Sequence, residues 1–438
     1  MALRPENEGG GSLNGHVDIR YGKGTIPLRV DSGKAEWEVI RPRYESALER
    51  PEEQFQEAVR TPIGGRPLAD IVEATDRVVI VTSDGTRPVP NRQLIPWILD
   101  ALPVPDDRVT VVIGTGTHRP NSESEIEAMF GTDVVRRVRI VNHNGYDPDA
   151  TVDVGTTSSG TPVRLSREYV EADRRIAVGF IEPHFFAGFS GGAKGVAPGV
   201  AAVETVYRLH RWELIGDPNS TWGVLEENPI QKEIGEAVAL CPPDFLVNVT
   251  LNSDKEITGF YAGDLQEAHR AGCEKARDAA MAPVTRAFPV VVTSNSGFPL
   301  DQNLYQAVKG ISAAARITEP GGTIFVACEC SDGIPDHGNF ARLMLEGDSP
   351  DDVTQSIRRL PETVQDQWQA QILAGILSRH RVRVFSALAE NLVSDCKMDV
   401  SSDLSRDVEA AVSRAGVGSR AAVLPDGPLT IPFLEGTG

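Results

Sequence analysis

The chain has 438 residues, and its 43 Lys and Arg side chains against 62 Asp and Glu side chains give a formal net charge of −19. This balance, with no basic run, excludes a nucleic-acid binder, which needs surplus cations to neutralise phosphate, and disfavours attachment to anionic lipid. No stretch approaches the ~18 apolar residues of a membrane helix. At about 150 residues per domain, the length predicts two domains.

The amino-terminal segment MALRPENEGGGSLNG is polar and glycine-rich. We therefore expect a flexible tail over residues 1–15, no secretion signal and a cytoplasmic location. The odd number of scattered cysteines does not predict a disulfide framework. Cys328 and Cys330 form a C-x-C pair that is compatible with a soft-metal site, but their position after the apolar run TIFVA favours buried small side chains.

Apolar runs and helix-like segments alternate through the first half of the chain. We predict strands over 77–83, 108–116 and 174–181, a helix over 93–102, and a helix over 200–215 that follows a glycine-rich loop. Such alternation of strand, loop and helix is typical of α/β proteins with a mostly parallel sheet.

The same alternation continues after residue 281. A strand is predicted over 288–294, then a helix to about Ile317, a turn at Pro320 to Gly322, and the strand TIFVAC, with a helix over 364–378 and the strand RVRVFSAL beyond them. The predicted fold is two α/β domains with mostly parallel sheets and an active site in the cleft between them. The predicted divisions are 16–282, 283–415, and a segment 416–438, for which a return to the first domain is left open.

Three loops carry the functional residues, because ligands bind α/β sheets at the carboxyl ends of strands. The first loop, DGTRPVP, places Asp84 and Arg87 three residues apart. The pair is compatible with holding the hydroxyl and the anionic group of a ligand. An ordinary turn rich in Gly and Pro is the alternative.

The second loop, GTGTHRP, begins like a dinucleotide-binding fingerprint, but Arg119 stands where G-x-G-x-x-G requires its third glycine. We therefore exclude a Rossmann NAD site here. His118 remains beside a cation at the end of a strand, which suits general acid or base catalysis. A solvated loop histidine explains the pattern equally well.

The third loop, EPHFFAGFSGGAKGVAPG, resembles a phosphate-binding P-loop but fails on spacing, because Ala193 precedes the lysine and Gly195 follows it. Its glycines let backbone amides approach a ligand closely. Lys194 among them suits either phosphate binding or covalent chemistry, since a desolvated lysine becomes a nucleophile.

Two later segments are ambiguous from the residues alone. His210 lies on an apolar stripe of its predicted helix, which favours a buried, hydrogen-bonded core histidine, although imidazole is also a common metal ligand. In LYQAVKG, Gln306 and Lys309 share a helix face near an amino terminus that favours anions. A carboxylate site there competes with an ordinary amphipathic helix start.

Taken together, DGTRPVP, GTGTHRP, PHFFAGFSGGAKGVAPGV and LYQAVKG, in this order, resemble the nickel-dependent lactate racemase family, from about Asp84 to Trp368. The resemblance implies a racemase or epimerase of 2-hydroxy acids. It implies a nickel pincer nucleotide cofactor, a pyridinium-3,5-bisthiocarboxylic acid mononucleotide of nickel, attached covalently to Lys194 as a thioamide. It also implies that cofactor-biosynthesis enzymes are partners.

The resemblance further assigns roles to residues. The implied catalytic acid/base residues are His118 and His184. The residues implied for binding cofactor, metal or substrate are Lys194 and His210, with His210 as the nickel ligand, Asp84 and Arg87 at the cofactor, and Arg87, Tyr305, Gln306, Lys309 and Trp368 at the substrate.

The implied reaction removes the C–H hydrogen of the substrate as hydride, because this hydrogen is too weakly acidic for an ordinary base. A planar 2-keto acid results, and two histidines are needed, one for each enantiomer. A lactate- or malate-like substrate is the first expectation, with Arg119, Arg208 and Arg211 as candidate cations for a second carboxylate. A gluconate-like sugar-acid epimerase and a non-catalytic nickel-nucleotide carrier are the alternatives.

Overall fold

A computed structural model describes residues 15–43, 45–335, 338–416 and 418–436. Its strands, in chain order, are β1 Gly15–Tyr21, β2 Gly24–Val30, β3 Ala35–Val39, β4 Val78–Ser83, β5 Val109–Gly114, β6 Arg139–Asn142, β7 Thr151–Thr156, β8 Pro162–Ser166, β9 Arg174–Phe180, β10 Pro183–His184, β11 Gly188–Phe189, β12 Phe245–Leu251, β13 Ile257–Gly263, β14 Met281–Val284, β15 Phe288–Ser294, β16 Thr318–Ala327, β17 Arg381–Phe385, β18 Asp399–Val400, β19 Ser419–Leu424 and β20 Ile431–Leu434.

The helices alternate with these strands. They are α1 Pro51–Arg60, α2 Leu68–Ile71, α3 Asn91–Ala101, α4 Glu123–Phe130, α5 Thr132–Arg137, α6 Arg167–Val170, α7 Val203–Leu209, α8 Trp212–Ile215, α9 Pro229–Ala239, α10 Leu265–Ala280, α11 Leu304–Ala315, α12 Phe340–Met344, α13 Pro350–Arg358, α14 Gln367–Leu377, α15 Glu390–Asp395 and α16 Leu404–Ala415. No helix in the described part of the chain combines the length and apolarity that a membrane crossing requires.

The chain forms two compact units. The large unit contains the described residues of 43–281 and 359–368, and the small unit contains the described parts of 1–42, 282–358 and 369–438. The change of unit after Met281 falls beside the predicted boundary at 282. Three segments are grouped differently from the prediction: 16–42 and 416–438 belong with the second half of the chain, and 359–368 belongs to the large unit.

Strand pairing explains two of these differences. β3, from the amino-terminal segment, and β19, from the carboxyl-terminal segment, pair with each other in parallel, and β19 also pairs with β15. Both segments are therefore part of the small unit's sheet. Residues 359–368 end at Trp368, whose ring packs against His210 of the large unit.

The large unit is built on a six-stranded sheet of order β13-β12-β9-β4-β5-β6, in which only β13 runs antiparallel to its neighbour. Its central strands β4 and β9 are mostly apolar and mostly buried, as expected for a parallel sheet covered on both faces. Ile80, Val111, Ile176 and Val247, one from each of four adjacent strands, are fully buried in one core.

The small unit is built on an entirely parallel six-stranded sheet of order β18-β17-β16-β15-β19-β3. Its core on one side includes Val290, Phe325 and Val423 from the sheet and Val408 from α16. The prediction of an α/β fold with mostly parallel sheets is therefore confirmed.

Two elements differ locally from the prediction. The helix expected over 200–215 is two short helices, α7 and α8, separated at His210 and Arg211. The turn expected at Pro320 to Gly322 lies within β16, which begins at Thr318, and the pairing of β15 with β16 shifts register there.

Candidate active site

The order of strands in the large unit predicts where a ligand binds. From β4 the chain proceeds to β5 and β6 on one side, whereas β9 pairs with the other edge of β4. Ligands bind α/β sheets in the crevice at such a switch point, beyond the carboxyl ends of the strands. The three loops singled out in the sequence follow β4, β5 and β9 and so lie at this edge.

The loop after β4 buries the carboxylate of Asp84 and joins it to His118, which follows β5. Asp84 is only 4% exposed, and His118 Nδ1 donates to its Oδ2 at 2.7 Å. The Thr86 hydroxyl donates to Oδ1 at 2.6 Å. Burial raises the pKa of Asp84, but the hydrogen bonds from His118 and Thr86 and the charge of Arg87 outweigh it, so the net pKa is lowered.

Asp84 is therefore an ionised carboxylate, which accepts hydrogen bonds only. The Nδ1 proton of His118 points to it, and Nε2 is left as the nitrogen that can exchange a proton. This arrangement fixes the His118 ring, whose side chain is 48% exposed. Arg87 closes the turn, since its backbone N–H donates to the Asp84 carbonyl at 3.1 Å.

The loop after β9 brings His184 and Lys194 together. β10 and β11 form a short hairpin, and a 3-10 helix over Gly192–Gly195 follows it. Lys194 Nζ lies 3.5 Å from His184 Nε2, and the backbone N–H of Ala187 donates to His184 Nδ1 at 3.2 Å. Unlike in His118, Nδ1 of His184 accepts, so an uncharged His184 ring carries its proton on Nε2, the nitrogen nearer Lys194.

Side chains at the start of α9 hold the β10–β11 hairpin through hydrogen bonds to its backbone. Asn228, which caps this helix, donates to the Phe186 carbonyl at 2.9 Å, and Gln231 donates to the carbonyls of Ala187 and Phe189 at 2.6 and 3.1 Å. Gly188 has a φ of +73°, and a Cβ there would lie 1.8 Å from the Val224 carbonyl oxygen. Only glycine fits at this turn.

His210 is buried where α7 ends. Its Nδ1 donates to the Val206 carbonyl at 2.8 Å, one turn earlier in the chain. The Trp368 ring lies 4.6 Å from the imidazole, centre to centre, and the Phe186 ring lies 5.4 Å from it. Burial lowers the pKa of His210 to about 4, and the charge of Lys194 contributes to the decrease.

At neutral pH, His210 is therefore an uncharged imidazole with its proton on Nδ1 and its lone pair on Nε2. This is the form that binds a metal, and a hydrogen bond from the other ring nitrogen commonly orients such ligands. Among the described residues, no three His, Cys, Asp or Glu side chains converge as they would around a metal.

Phe186 connects these groups. Its ring lies 4.4 Å from the His184 ring, 5.4 Å from the His210 ring and 5.8 Å from Lys194 Nζ. The sequence assigned no role to Phe186, and it also missed Asn248 and His269, which contact the lysine loop from β12 and α10. For Asn248 a signal existed, because it is a polar residue inside the buried strand FLVNVTL.

The remaining predicted residues belong to the small unit. α11 follows β15, which pairs with β16 on one side and β19 on the other, so it also begins at a switch point. The Asn303 side chain caps α11 by accepting from the Gln306 N–H at 3.0 Å. The Tyr305 ring packs edge-on against Phe340 at 5.5 Å.

Gln306 carries a second signal of a ligand. Among the described residues, its Oε1 is buried and has no hydrogen-bond partner, which is costly for a polar atom. Lys309 lies one turn further along α11, at the i+3 position that shares its face.

The C-x-C pair lies in the interior of the small unit. The Sγ atoms of Cys328 and Cys330 lie 3.5 Å apart, and both residues are buried. The hydrogen bond from Cys330, together with burial, raises the pKa of the Cys328 thiol. Both side chains are small and buried, in keeping with their position after the apolar run TIFVA.

Comparisons with known proteins agree with this description. A model of the lactate racemase N-terminal domain matches residues 21–223, and one of the lactate racemase C-terminal domain matches residues 285–431. The lactate racemases of Lactiplantibacillus plantarum and Thermoanaerobacterium thermosaccharolyticum are 35% and 37% identical to this chain, each over 94% of it and 98% of the relative.

Solved structures show the same relationship. The lactate racemase apoprotein from T. thermosaccharolyticum superimposes with a TM-score of 0.89 at 36% identity, covering 95% of this chain and 100% of that one. A Thermotoga maritima protein, at 19% identity and a TM-score of 0.66, covers 88% of this chain and 98% of its own and shares the fold. This chain therefore belongs to the lactate racemase family and is an isomerase of the racemase type.

Proposed function

We propose that this chain racemises a short 2-hydroxy acid, with lactate as the first candidate, by using a nickel pincer nucleotide. The observation that carries the proposal is the convergence of Lys194, His184 and a neutral, buried His210 around the Phe186 ring. A lysine, a proton-exchanging imidazole and a metal-ligating imidazole are the three groups that the family's cofactor and reaction require.

Lys194 and His210 would hold the cofactor. Lys194 would link to it as a thioamide, in which the Nζ–C bond replaces a C–O bond of a thiocarboxyl group and the oxygen leaves as water. His210 would offer its Nε2 lone pair to nickel, because Nδ1 is occupied by the Val206 carbonyl. When bound, the cofactor supplies the acceptor and donor of hydride at the substrate carbon.

Proton transfer to and from the substrate hydroxyl would be the task of His118 and His184. They follow β5 and β9, the two strands that flank β4, so the carboxyl ends of their strands lie about 10 Å apart. That separation suits two imidazoles on opposite sides of a small acid. Asp84 would stabilise the imidazolium that forms when His118 takes up a proton.

We propose that Arg87, Tyr305, Gln306, Lys309 and Trp368 bind the substrate. Gln306, with its unpartnered Oε1, and the cationic Lys309 supply hydrogen bonding and charge for a hydroxy acid. The Trp368 ring packs at a tilt against the His210 imidazole, and this contact would shield the proposed nickel ligand from water and restrict its rotation.

Ion pairs bear on the size of the substrate. Arg119 is held by both carboxylate oxygens of Glu125 at 2.7 and 2.8 Å, and Arg211 lies 3.6 Å from Glu233 and donates to the hydroxyls of Thr161 and Ser159. Two of the three arginines considered for a second carboxylate are thus engaged within the protein. This favours lactate over malate.

The test is a panel of hydroxy-acid enantiomers. Protein co-expressed with the cofactor-biosynthesis enzymes is incubated with single enantiomers of lactate, malate and gluconate, and conversion is followed by chiral chromatography. We expect conversion of lactate in both directions. Nickel content and an adduct mass on Lys194 are measured on the same sample; an unmodified Lys194 in active, nickel-containing protein would refute the covalent link.

Variants separate a racemase from a nickel-nucleotide carrier. His118→Asn and His184→Asn are each expected to lower racemisation by about 10²- to 10⁴-fold, the usual contribution of a general acid or base. Cofactor loading should be retained. His380→Asn is the control, because His380 is also a buried histidine with a hydrogen bond to a backbone carbonyl. Unchanged racemisation in both site variants would refute their catalytic roles.

A further inference from the structure

Two buried polar side chains clamp the backbone just before Lys194. Asn248, in the middle of β12, accepts from the Gly192 N–H through Oδ1 at 2.8 Å, while its Nδ2 donates to the Val247 carbonyl. Asn248 is 1% exposed. A buried amide in an otherwise apolar strand lowers stability unless its hydrogen bonds are made, and here one of them is made to the lysine loop.

His269, in α10, contacts the same segment, Ser190 to Gly192, from another element. Its Nε2 donates to the Ser190 carbonyl at 2.8 Å, and it is 7% exposed. The imidazole lies so close to Gly192 that a Cβ there would be 2.5 Å from its Cγ. Burial lowers the pKa of His269, so at neutral pH the ring is an uncharged donor.

The contacts of Asn248 and His269 explain why residues 191 and 192 are both glycine. Gly191 and Gly192 have φ values of +76° and +56°, and a Cβ on Gly191 would lie 2.6 Å from Asn248 Oδ1. Any side chain at either position would displace Asn248 or the His269 ring. The Gly191 carbonyl in turn accepts from the Lys194 N–H at 3.2 Å. The segment held by Asn248 and His269 therefore fixes the position of the Lys194 backbone nitrogen.

We propose that Asn248 and His269 are positioning residues that hold the backbone of Lys194 so that its Nζ can form the covalent link to the cofactor. This inference rests on the proposed function, because it needs Lys194 to be the attachment point. Neither side chain touches the reacting atoms. Their effect is on the rate of attachment, which depends on how often the amine occupies the reactive position.

The experiment uses two pairs of variants in the full-length protein. His269→Phe keeps a ring of similar size and removes the donor, whereas His269→Gln retains an N–H that reaches the Ser190 carbonyl. Asn248→Leu removes the acceptor for the Gly192 N–H, whereas Asn248→Asp retains one. His380→Phe, in the small unit, controls for the loss of a buried imidazole.

Each purified apoprotein is incubated with the nickel pincer nucleotide, and the adduct on Lys194 is followed over time by intact mass. We expect about tenfold slower attachment in His269→Phe and Asn248→Leu, as the loss of one hydrogen bond of about 1.4 kcal/mol produces. His269→Gln, Asn248→Asp and His380→Phe should attach near the wild-type rate. Thermal unfolding and hydrogen exchange of the peptide containing Gly192 are measured without cofactor.

The outcomes distinguish the positioning role of Asn248 and His269 from the proposed covalent attachment of the cofactor to Lys194. Wild-type attachment rates in folded His269→Phe and Asn248→Leu, while wild type itself acquires the adduct, would overturn the positioning inference alone. A wild-type enzyme that racemises with Lys194 unmodified would overturn the covalent proposal and this inference with it. Equal slowing in the conservative and disruptive variants of each pair would indicate a loss of folding rather than positioning and would also overturn it.

Discussion

Asp84→Asn is the sharpest test of the proton-transfer geometry. The substitution keeps the size of a side chain that is 4% exposed and removes its charge, so the structure around it should be retained. What is lost is the charged hydrogen bond at 2.7 Å between Oδ2 and His118 Nδ1. The imidazolium that forms when His118 accepts the hydroxyl proton then has no neighbouring carboxylate.

The magnitude follows from that bond. A hydrogen bond to a charged group contributes about 1.5–3 kcal/mol. Its loss in the transition state corresponds to a decrease of about 10- to 160-fold in kcat. Asp173→Asn is the control, because the Asp173–Arg77 pair is exposed and such pairs contribute little.

The assay must separate rate from loading, since Asp84 is also proposed to contact the cofactor. Racemisation of each lactate enantiomer is measured per nickel-containing, Lys194-modified enzyme. A variant with full loading and a wild-type kcat would refute the role given to Asp84. A variant whose entire loss of activity is explained by missing cofactor would refute it as well.

Asp84→Asn is also expected to change how the stability of the protein depends on pH. The folded-state pKa of Asp84 is lowered below its ordinary 3.8, so the unfolded chain binds the proton first as pH falls. The stabilisation is therefore fully present above the unfolded pKa and is lost as pH falls through the folded value. We expect the difference in Tm between wild type and Asp84→Asn to shrink as pH falls below about 4.

Four further predictions concern other residues of the large unit. His210→Ala should abolish nickel retention, measured by metal analysis, while the adduct on Lys194 remains. The pKa of His210, about 4 when folded against 6.5 ordinarily, means that this buried ring destabilises the fold as pH falls through that window, so His210→Phe should weaken the pH dependence of Tm between those values. Gly188→Ala, which would place a Cβ 1.8 Å from the Val224 carbonyl oxygen, should cost more than about 2 kcal/mol in urea unfolding. Glu233→Gln removes a buried carboxylate that accepts from three hydroxyls and should lower the free energy of unfolding by about 2–3 kcal/mol.

Buried strands were predicted well because their signal is local. The strand expected over 288–294 is Phe288–Ser294 in the structure, and the strand expected over 174–181 is Arg174–Phe180. A run of apolar residues bounded by turn residues has few alternatives in a sheet covered on both faces.

The break between α7 and α8 was not predicted, because the apolar periodicity continues across it. Arg211 takes an extended conformation, with φ −62° and ψ 155°, although neither glycine nor proline marks the position. The break affects the site because it places His210 at the carboxyl end of α7. There its Nδ1 donates a hydrogen bond to the Val206 carbonyl in the last turn of that helix.

The sequence singled out three loops by their residues, but it did not indicate the side chains that hold the third loop in place. Asn248 and His269 lie 54 and more residues beyond Lys194 in the chain, and each reaches the loop only through the sheet and helix packing of the large unit. Spacing along a single sequence carries no information about such contacts. The predicted division 283–415 includes Trp368 for the same reason, whereas its ring packs against His210 of the large unit.

The pairing of β3 with β19 has a consequence for synthesis. Ala35 pairs with Ser419, so about 380 residues must be made before β3 finds its neighbour. At 5–20 residues per second, translation of that length takes about 20 to 80 s. Most of the large unit is synthesised well before then and can fold during translation. β3, in contrast, stays without its partner strand until β19 has been made. Truncation of the last twenty residues would therefore remove β19 and leave the edge of β15 exposed to other chains.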